Sequence, residues 1–372
     1  MRITKVTLHR VRIDARPWYF GSPIPFDEPL EWEYPLLVLD TDDGFTGYSM
    51  GYGANGEGRA STVALEDIYA PSLIGADPLQ SSRIWETLKR KNRHLYAHTD
   101  ACLGVIDVAL WDIRGKRAGL PVAAMLGQAR DKMPTYRTAS YFLKTPDQIA
   151  LEAVRFQEAG FHGCKFNMFD GPDLDIPRLR AAREAVGPDW NLMLDASSFY
   201  SFTDALRVGR ALEELNYTWF EEPVYDRRMD VLARLTEYLR VPILTSETNS
   251  LDEKAQYISR HAGHLLRGDV MNTAGITGLM RACSAAAVFG YHVEIHTAST
   301  PLLDIANLHV ACAITNCTYL ETHHSMFRFG LQGDPLGADE QGYVHLPSGA
   351  GLGVEMDWDW VDDHTVEVLT VT

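Results

Sequence analysis

Three short apolar runs in this chain each close on a carboxylate, and the carboxylates are evenly spaced. Asp195 closes the run in NLMLDASSFY, Glu221 that in TWFEEPVYD and Glu247 that in VPILTSETN, at two successive intervals of 26 residues. A repeat of that length accommodates one strand, one loop and one helix, the unit of a parallel β/α barrel. Acids at the carboxyl ends of successive parallel strands converge on one mouth, where they repel one another unless a cation lies between them. Hard oxygen donors suit Mg²⁺, which takes few carboxylates and keeps room for water or substrate. The spacing therefore predicts a barrel with a Mg²⁺ site at Asp195, Glu221 and Glu247.

The surrounding texture agrees. Strand-like runs at 135–140, 163–168, 191–196, 217–222, 242–247, 267–271, 291–297 and 316–322 alternate with segments of helical spacing such as Ile149, Ala153 and Phe156. Thr145-Pro146 is a helix start signal and Gly160 a stop. Eight such strands indicate a (β/α)₈ barrel or a close variant, an α/β fold. Residues 1–50 read as β-rich, with Asp43-Gly44 between two apolar runs as a hairpin turn. From about 60 to 118 helices dominate, and Val105, Ala109 and Ile113 mark one that stops at Gly119 and Pro121. Asp107 and Asp112 on that helix are expected as salt-bridge partners. GYGANGEG (51–58) lacks a dinucleotide fingerprint. It reads as a loop in which Tyr52 is a candidate substrate contact. The proline-rich RPWYFGSPIPFDEP reads as a connector or as a flap that carries Trp18, Tyr19 and Phe20 over a pocket. The closing stretch GYVHLPSGAGLGVEMDWDW is expected to fold back onto the first domain.

Composition narrows the partners. A formal charge of −16 on 372 residues disfavours nucleic acid and anionic membrane, and an acidic substrate would need a cation at its site. Hydrophobic residues make up 46%, enough for a sizeable core. The five cysteines show no Cys-x-x-Cys pairing, and neither a signal core nor a membrane-length run is present. A cytoplasmic protein with reduced thiols is expected.

The other strand-end polar residues form an ordered set. Lys165 and Asn167 share a face of the second barrel strand because strand side chains alternate. Glu222 faces away from Glu221 for the same reason, so only one of them is a direct ligand. Asp269 and His296 close neighbouring strands, and a carboxylate bound to an imidazole fixes its tautomer and raises its basicity for general acid–base work. Glu321 closes the eighth strand.

With these residues assembled, the chain resembles the enolase superfamily, in its mandelate racemase-like branch. The match covers nearly the whole length. It runs through IDVALWDIRGKRAGLPVAAMLG, the second-strand lysine, Asp195, Glu-Glu-Pro at 221–223 and Glu247, then GDVMNTAGITG, His296, Glu321 and PSGAGLGVEMDWD. The resemblance implies an α+β capping domain over 1–125, a modified (β/α)₇β TIM barrel over 126–335 and a segment over 336–372 that returns to the cap. It also implies one essential Mg²⁺, a small carboxylate substrate that loses its α proton, and a homo-oligomer, since such relatives are often symmetric.

Departures from the family pattern bear on the reaction. Many relatives carry Lys-x-Lys at the second strand, whereas this chain has Lys165-Phe166-Asn167, and an amide takes no proton at neutral pH. Ser197 stands where relatives have histidine or asparagine, and Ser246 where a glycine often precedes the third ligand. Racemisation needs proton transfer on both faces of a planar intermediate, and only His296 is clearly available. Dehydration of an acid sugar to a 2-keto-3-deoxy acid needs one base and one acid, and His296 can serve as both in a syn elimination. Lys165 would offset charge near the carboxylate, and Glu321, if held protonated, would hydrogen-bond the enediolate. The alternatives are a racemase, epimerase or cycloisomerase of a hydroxy acid or sugar-acid lactone, and a metal-binding barrel without catalysis. A metal-dependent hydrolase would need His-x-His at the first strand, where TYRTAS has none.

Overall fold

The computed structural model describes residues 1–15, 31–53, 57–92, 99–139, 145–297, 300–323 and 328–372. Trp18, Tyr19 and Phe20 lie outside the described residues.

The chain opens with β1 (Ile3–Asp14), which pairs antiparallel with β2 (Glu31–Thr41), itself paired with β3 (Thr46–Met50). The β2–β3 turn falls at Asp43-Gly44, and Gly44 holds a left-handed φ of +85° that glycine adopts without strain. Helices α1 (Glu57–Ala64), α2 (Ser81–Lys91), α3 (Thr99–Ala118) and α4 (Val122–Leu126) follow. Val105, Ala109 and Ile113 are all buried on α3, where they pack with Leu8, Leu37 and Trp85 into a core under the sheet. Gly119 ends α3 with φ +68°.

Seven strand–helix units and a last strand come next: β4 (Lys132–Thr138), α5 (Pro146–Glu158), β5 (Gly163–Asn167), α6 (Pro172–Val186), β6 (Asn191–Asp195), α7 (Phe202–Glu214), β7 (Trp219–Glu221), α8 (Met229–Tyr238), β8 (Ile243–Thr245), α9 (Leu251–Arg260), β9 (Leu265–Gly268), α10 (Gly275–Val288), β10 (His292–Ile295), α11 (Pro301–Ala313) and β11 (Leu320–Thr322). Each strand is parallel to the next, and β11 pairs with β4 to close the ring. The architecture is a (β/α)₇β barrel with an antiparallel capping sheet. Thr145 and Gln148 form a capping box at α5, which explains its sharp start. Inside the barrel, Tyr136, Met193, Trp219 and Leu244 pack into an apolar plug.

One part of the closing stretch departs from expectation. β12 (Tyr343–His345) pairs antiparallel with barrel strand β4 rather than with the cap. The rest of the segment returns to the cap: Gly351 exchanges backbone hydrogen bonds with Leu120 and Val122, Trp358 of α12 (Trp358–His364) packs on His9 and Tyr48, and β13 (Thr365–Val371) pairs with β1.

Cap and barrel meet through buried polar side chains. Asp112 accepts from the backbone N–H groups of Tyr48 (3.0 Å) and Leu352 (2.9 Å) and pairs with Lys116 (2.7 Å). Asp107, expected in a salt bridge, instead accepts from the backbone N–H (2.8 Å) and hydroxyl (2.7 Å) of Thr277 and so caps the first turn of α10. His309 accepts from the Ala123 N–H (3.1 Å) and gives its other ring nitrogen to the Leu352 carbonyl (3.0 Å). No helix among the described residues is long and apolar enough to cross a membrane.

Candidate active site

Asp195 and Glu221 are the last residues of β6 and β7 and lie opposite each other in the sheet, with Asn167 of β5 next in line. Glu247 lies two residues beyond β8, past Ser246, which holds a left-handed φ of +76°. That value favours glycine, and the serine is held there at the bend from which Glu247 reaches the mouth. One oxygen from each of the three carboxylates falls within 4.8 Å of the others. Glu222 stands behind them: its carboxylate accepts from the Glu247 N–H (3.2 Å) and the Ser198 hydroxyl (3.3 Å), so it braces a ligand rather than joining the cluster. Ser197 performs the same service for Asp195, to which its N–H donates at 2.7 Å.

Lys165 and Arg267 offset the charge of these carboxylates only in part. Burial pushes Glu221 up to about 8 despite the nearby Arg267 and Lys165, and burial also raises Asp195. Glu221 Oε1 accepts no well-aligned hydrogen bond, although Arg267 Nε lies 2.8 Å away. Three hard oxygen donors converging from three successive strands fit a divalent cation such as Mg²⁺.

The second feature is the pair one strand on. Asp269, just past β9, accepts from His296 Nδ1 at 2.7 Å, and is itself held by the Met271 N–H (2.7 Å) and Asn307 Nδ2 (3.2 Å). This leaves His296 Nε2 3.5 Å from Glu247 Oε1. Burial alone would lower the imidazole pKa, but Glu247 and Asp269 outweigh it and raise the group to about 10. Any cation held by Glu247 would relieve part of that pull.

Glu321 lies among cations and hydrogen-bond donors. Its carboxylate is met by Lys165 Nζ (2.7 Å), the Thr138 hydroxyl (2.5 Å), His323 Nε2 (3.2 Å) and an Arg267 Nη. Burial would favour its neutral form, but Arg267 and Lys165 hold it well below the usual carboxylate range. These cations favour its ionised form, whereas a hydrogen-bond donor to an enediolate must carry a proton. Lys165 also lies 3.4 Å from Asp195 and 3.2 Å from Glu221, tying the eighth strand to the acid cluster. Asn167 is buried, and neither its amide oxygen nor its nitrogen has a hydrogen-bond partner among the described residues. An orphaned amide of this kind is costly unless something occupies the site to satisfy it.

Tyr52 lies on the cap side, lining a cavity of about 620 Å³ with Glu57, Arg227, Thr248 and Asn272. Burial, then Glu57 and Glu247, push its hydroxyl up to about 12. Sequence reasoning missed Arg267 and His323. Strand alternation held the signal for both: Arg267 is two residues before Asp269, and His323 two after Glu321, so each shares a face with a recognised site residue.

Two family profiles match the chain. One, described as enolase C-terminal domain-like, spans residues 148–360, and the other, the mandelate racemase / muconate lactonizing enzyme N-terminal domain, spans 27–127. Among curated relatives, arabinonate dehydratase of Saccharolobus solfataricus is 33% identical over 86% of this chain and 88% of its own. D-galactarolactone cycloisomerase of Agrobacterium fabrum is 28% identical over 96% and 97%. Among solved structures, D-glucarate dehydratase from Agrobacterium tumefaciens, complexed with magnesium, superposes with a TM-score of 0.86 at 29% identity, covering 99% of this chain and 100% of that one. The chain belongs to the mandelate racemase / muconate lactonizing enzyme group of the enolase superfamily.

Proposed function

We propose that this protein is a Mg²⁺-dependent acid-sugar dehydratase that converts an aldonate or aldarate to a 2-keto-3-deoxy acid. The observation that carries the reading is one juxtaposition: the imidazole oriented by Asp269 stands 3.5 Å from a carboxylate of the three-acid cluster. A substrate carboxylate brought to that cluster places its α carbon beside His296. A bound Mg²⁺ supplies the Lewis acid that stabilises negative charge as it builds on the substrate carboxylate.

In this mechanism His296 Nε2 takes the α proton while Asp269 holds the ring through Nδ1. The electron pair left behind forms a double bond to the β carbon as the β C–O bond breaks. The imidazolium returns its proton to the departing oxygen, which leaves as water. The resulting enol then ketonises. Lys165 keeps the Asp195, Glu221 and Glu321 carboxylates in place, and Asn167 hydrogen-bonds a substrate oxygen without exchanging a proton. That last feature favours elimination over racemisation, because an amide at this second-strand position cannot serve as the second base that racemisation needs. The family resemblance carries the expectation of a homo-oligomer, which light scattering would check, and the five buried free cysteines accord with a cytoplasmic, reducing compartment.

The test is to incubate the protein and Mg²⁺ in D₂O with a panel of aldonic and aldaric acids. Formation of a 2-keto-3-deoxy acid from at least one member is expected. A panel that shows neither product nor deuterium at the α carbon would overturn the assignment, and exchange without product would point to the non-eliminating alternatives.

A further inference from the structure

Lys254 breaks three local rules at once. It is only 1% exposed, although lysine is rarely fully buried. It sits in the opening turn of α9, where the helix dipole disfavours a cation. Its hydrogen-bond partners are two backbone carbonyls, those of Ser246 and of Arg267 (2.7 Å), rather than carboxylates. Burial brings the amine down to about 8, with Asp269, Glu222 and Glu247 opposing that fall. Local rules broken together at one buried position point to a compensating role elsewhere.

The two carbonyls identify that role. The Ser246 carbonyl belongs to the peptide bond that leads into Glu247, and the N–H of the same peptide donates to Glu222. One peptide plane is thus held at both ends, at the residue whose φ of +76° forms the bend. The Arg267 carbonyl lies on the next strand, below the guanidinium that contacts Glu221 and Glu321. A single ammonium therefore joins β8 to β9 directly behind two of the three clustered acids, without touching their carboxylate oxygens.

We propose that Lys254 is a positioning residue for the metal site, fixing the Ser246 bend from which Glu247 reaches the cation. The inference rests on the assignment of Asp195, Glu221 and Glu247 as metal ligands. It predicts a sign that a purely electrostatic role would reverse. A positive charge near three acids weakens cation binding, so its removal would tighten Mg²⁺ if charge were all that mattered. If Lys254 holds geometry, its removal weakens Mg²⁺, by the roughly 10–100-fold typical of lost supports behind ligands.

The experiment is calorimetric titration of the full chain with Mg²⁺ alone, for wild type, Lys254→Met and Lys254→Gln. Methionine keeps the stem and removes charge and donors, whereas glutamine keeps a neutral donor. The expected order of Kd is wild type lowest, Gln intermediate and Met highest. Binding by either variant as tight as or tighter than wild type would overturn the proposal, and should Lys254→Met fail to fold, the Gln comparison decides alone. If the wild type itself binds no Mg²⁺, the ligand assignment falls first and this inference falls with it.

Discussion

The seam between cap and barrel and the mouth of the barrel both bury ionisable side chains, but they dispose of the charge differently. At the seam, Asp112 has a lysine and two backbone N–H groups. Asp107 has two donors from Thr277, and burial pushes its carboxyl up to about 7, so it can shed its charge by taking a proton. His309 lies between a donor and an acceptor that suit its neutral form. At the mouth, Asp195, Glu221, Glu222, Glu247, Asp269 and Glu321 crowd round Lys165, Arg267 and Lys254, and Asn167 is left without partners among the described residues. The seam is built to be stable as it stands. The mouth is built to be completed, by a cation for its acids and by a substrate for its amide.

The largest effect should come from the mouth. Replacing His296 with Asn keeps a hydrogen bond towards Asp269 but removes the base, and turnover should fall ~10³-fold or more, in line with general acid–base contributions. Chelating Mg²⁺ should abolish turnover too, yet the two losses are separable. The His296→Asn protein should still bind Mg²⁺ by calorimetry while α-deuterium exchange in D₂O disappears. Exchange that persisted in this variant would break the division of labour between acid cluster and dyad.

Arg267 sharpens the comparison on stability. It is wholly buried between Glu221 and Glu321, and its Nη1 has no hydrogen-bond partner among the described residues. Removing one side of a buried ion pair commonly costs about 3–5 kcal/mol because it strands the other. Arg267→Met should therefore lower thermal stability by that order in Mg²⁺-free buffer, and added Mg²⁺ should recover part of it by occupying the cluster. A variant as stable as wild type would show that the mouth tolerates unpaired acids unaided.

How much of this was legible in the chain follows the same line. The positions of Asp195, Glu221, Glu247, Asp269 and His296 were readable because strand ends recur with the barrel period and aim at one mouth. Thr145-Pro146 and Gly160 marked α5 correctly because caps and stops are local chemistry. The charge state of Glu321 was not readable, since Lys165, Arg267 and His323 arrive from separate places in the chain. Arg267 itself reads as an isolated charge in an apolar strand until the ring is closed around it. Asp107 reads as a salt-bridge partner because its actual partner, Thr277, is 170 residues away. The register that puts β12 beside β4 rather than on the cap is equally non-local.

At the seam the expected signature is acid sensitivity. Burial lowers His309 to about 4, against about 6.5 in an unfolded chain. Above that unfolded value both states are neutral and the full stability is present. As pH falls through it, the unfolded chain takes a proton that the folded one refuses, so stability drops until about pH 4. The gap corresponds to at most about 3 kcal/mol. Comparing thermal unfolding at pH 7.5 and pH 5 in wild type and His309→Gln isolates this contribution from the acids of the mouth. The variant should lose less on acidification, and equal losses would mean that the seam does not depend on this neutral imidazole.

The smallest effect is expected where the mouth stores strain. A non-glycine residue in the left-handed region costs about 1–2 kcal/mol, and Ser246 holds φ +76° with its hydroxyl making only a long 3.5 Å contact to the Arg267 carbonyl. Ser246→Gly removes that strain and little hydrogen bonding, while the added freedom of the unfolded chain takes back about 0.4–1 kcal/mol. The net should be a gain of about 0.5 kcal/mol, read as a slightly higher Tm. Because Lys254 and Glu222 still hold the peptide plane at both ends, Mg²⁺ affinity should stay within about threefold of wild type, a change below 1 kcal/mol. A stabilised variant that nevertheless bound Mg²⁺ tenfold more weakly would show that the serine, and not the lysine behind it, keeps Glu247 in place.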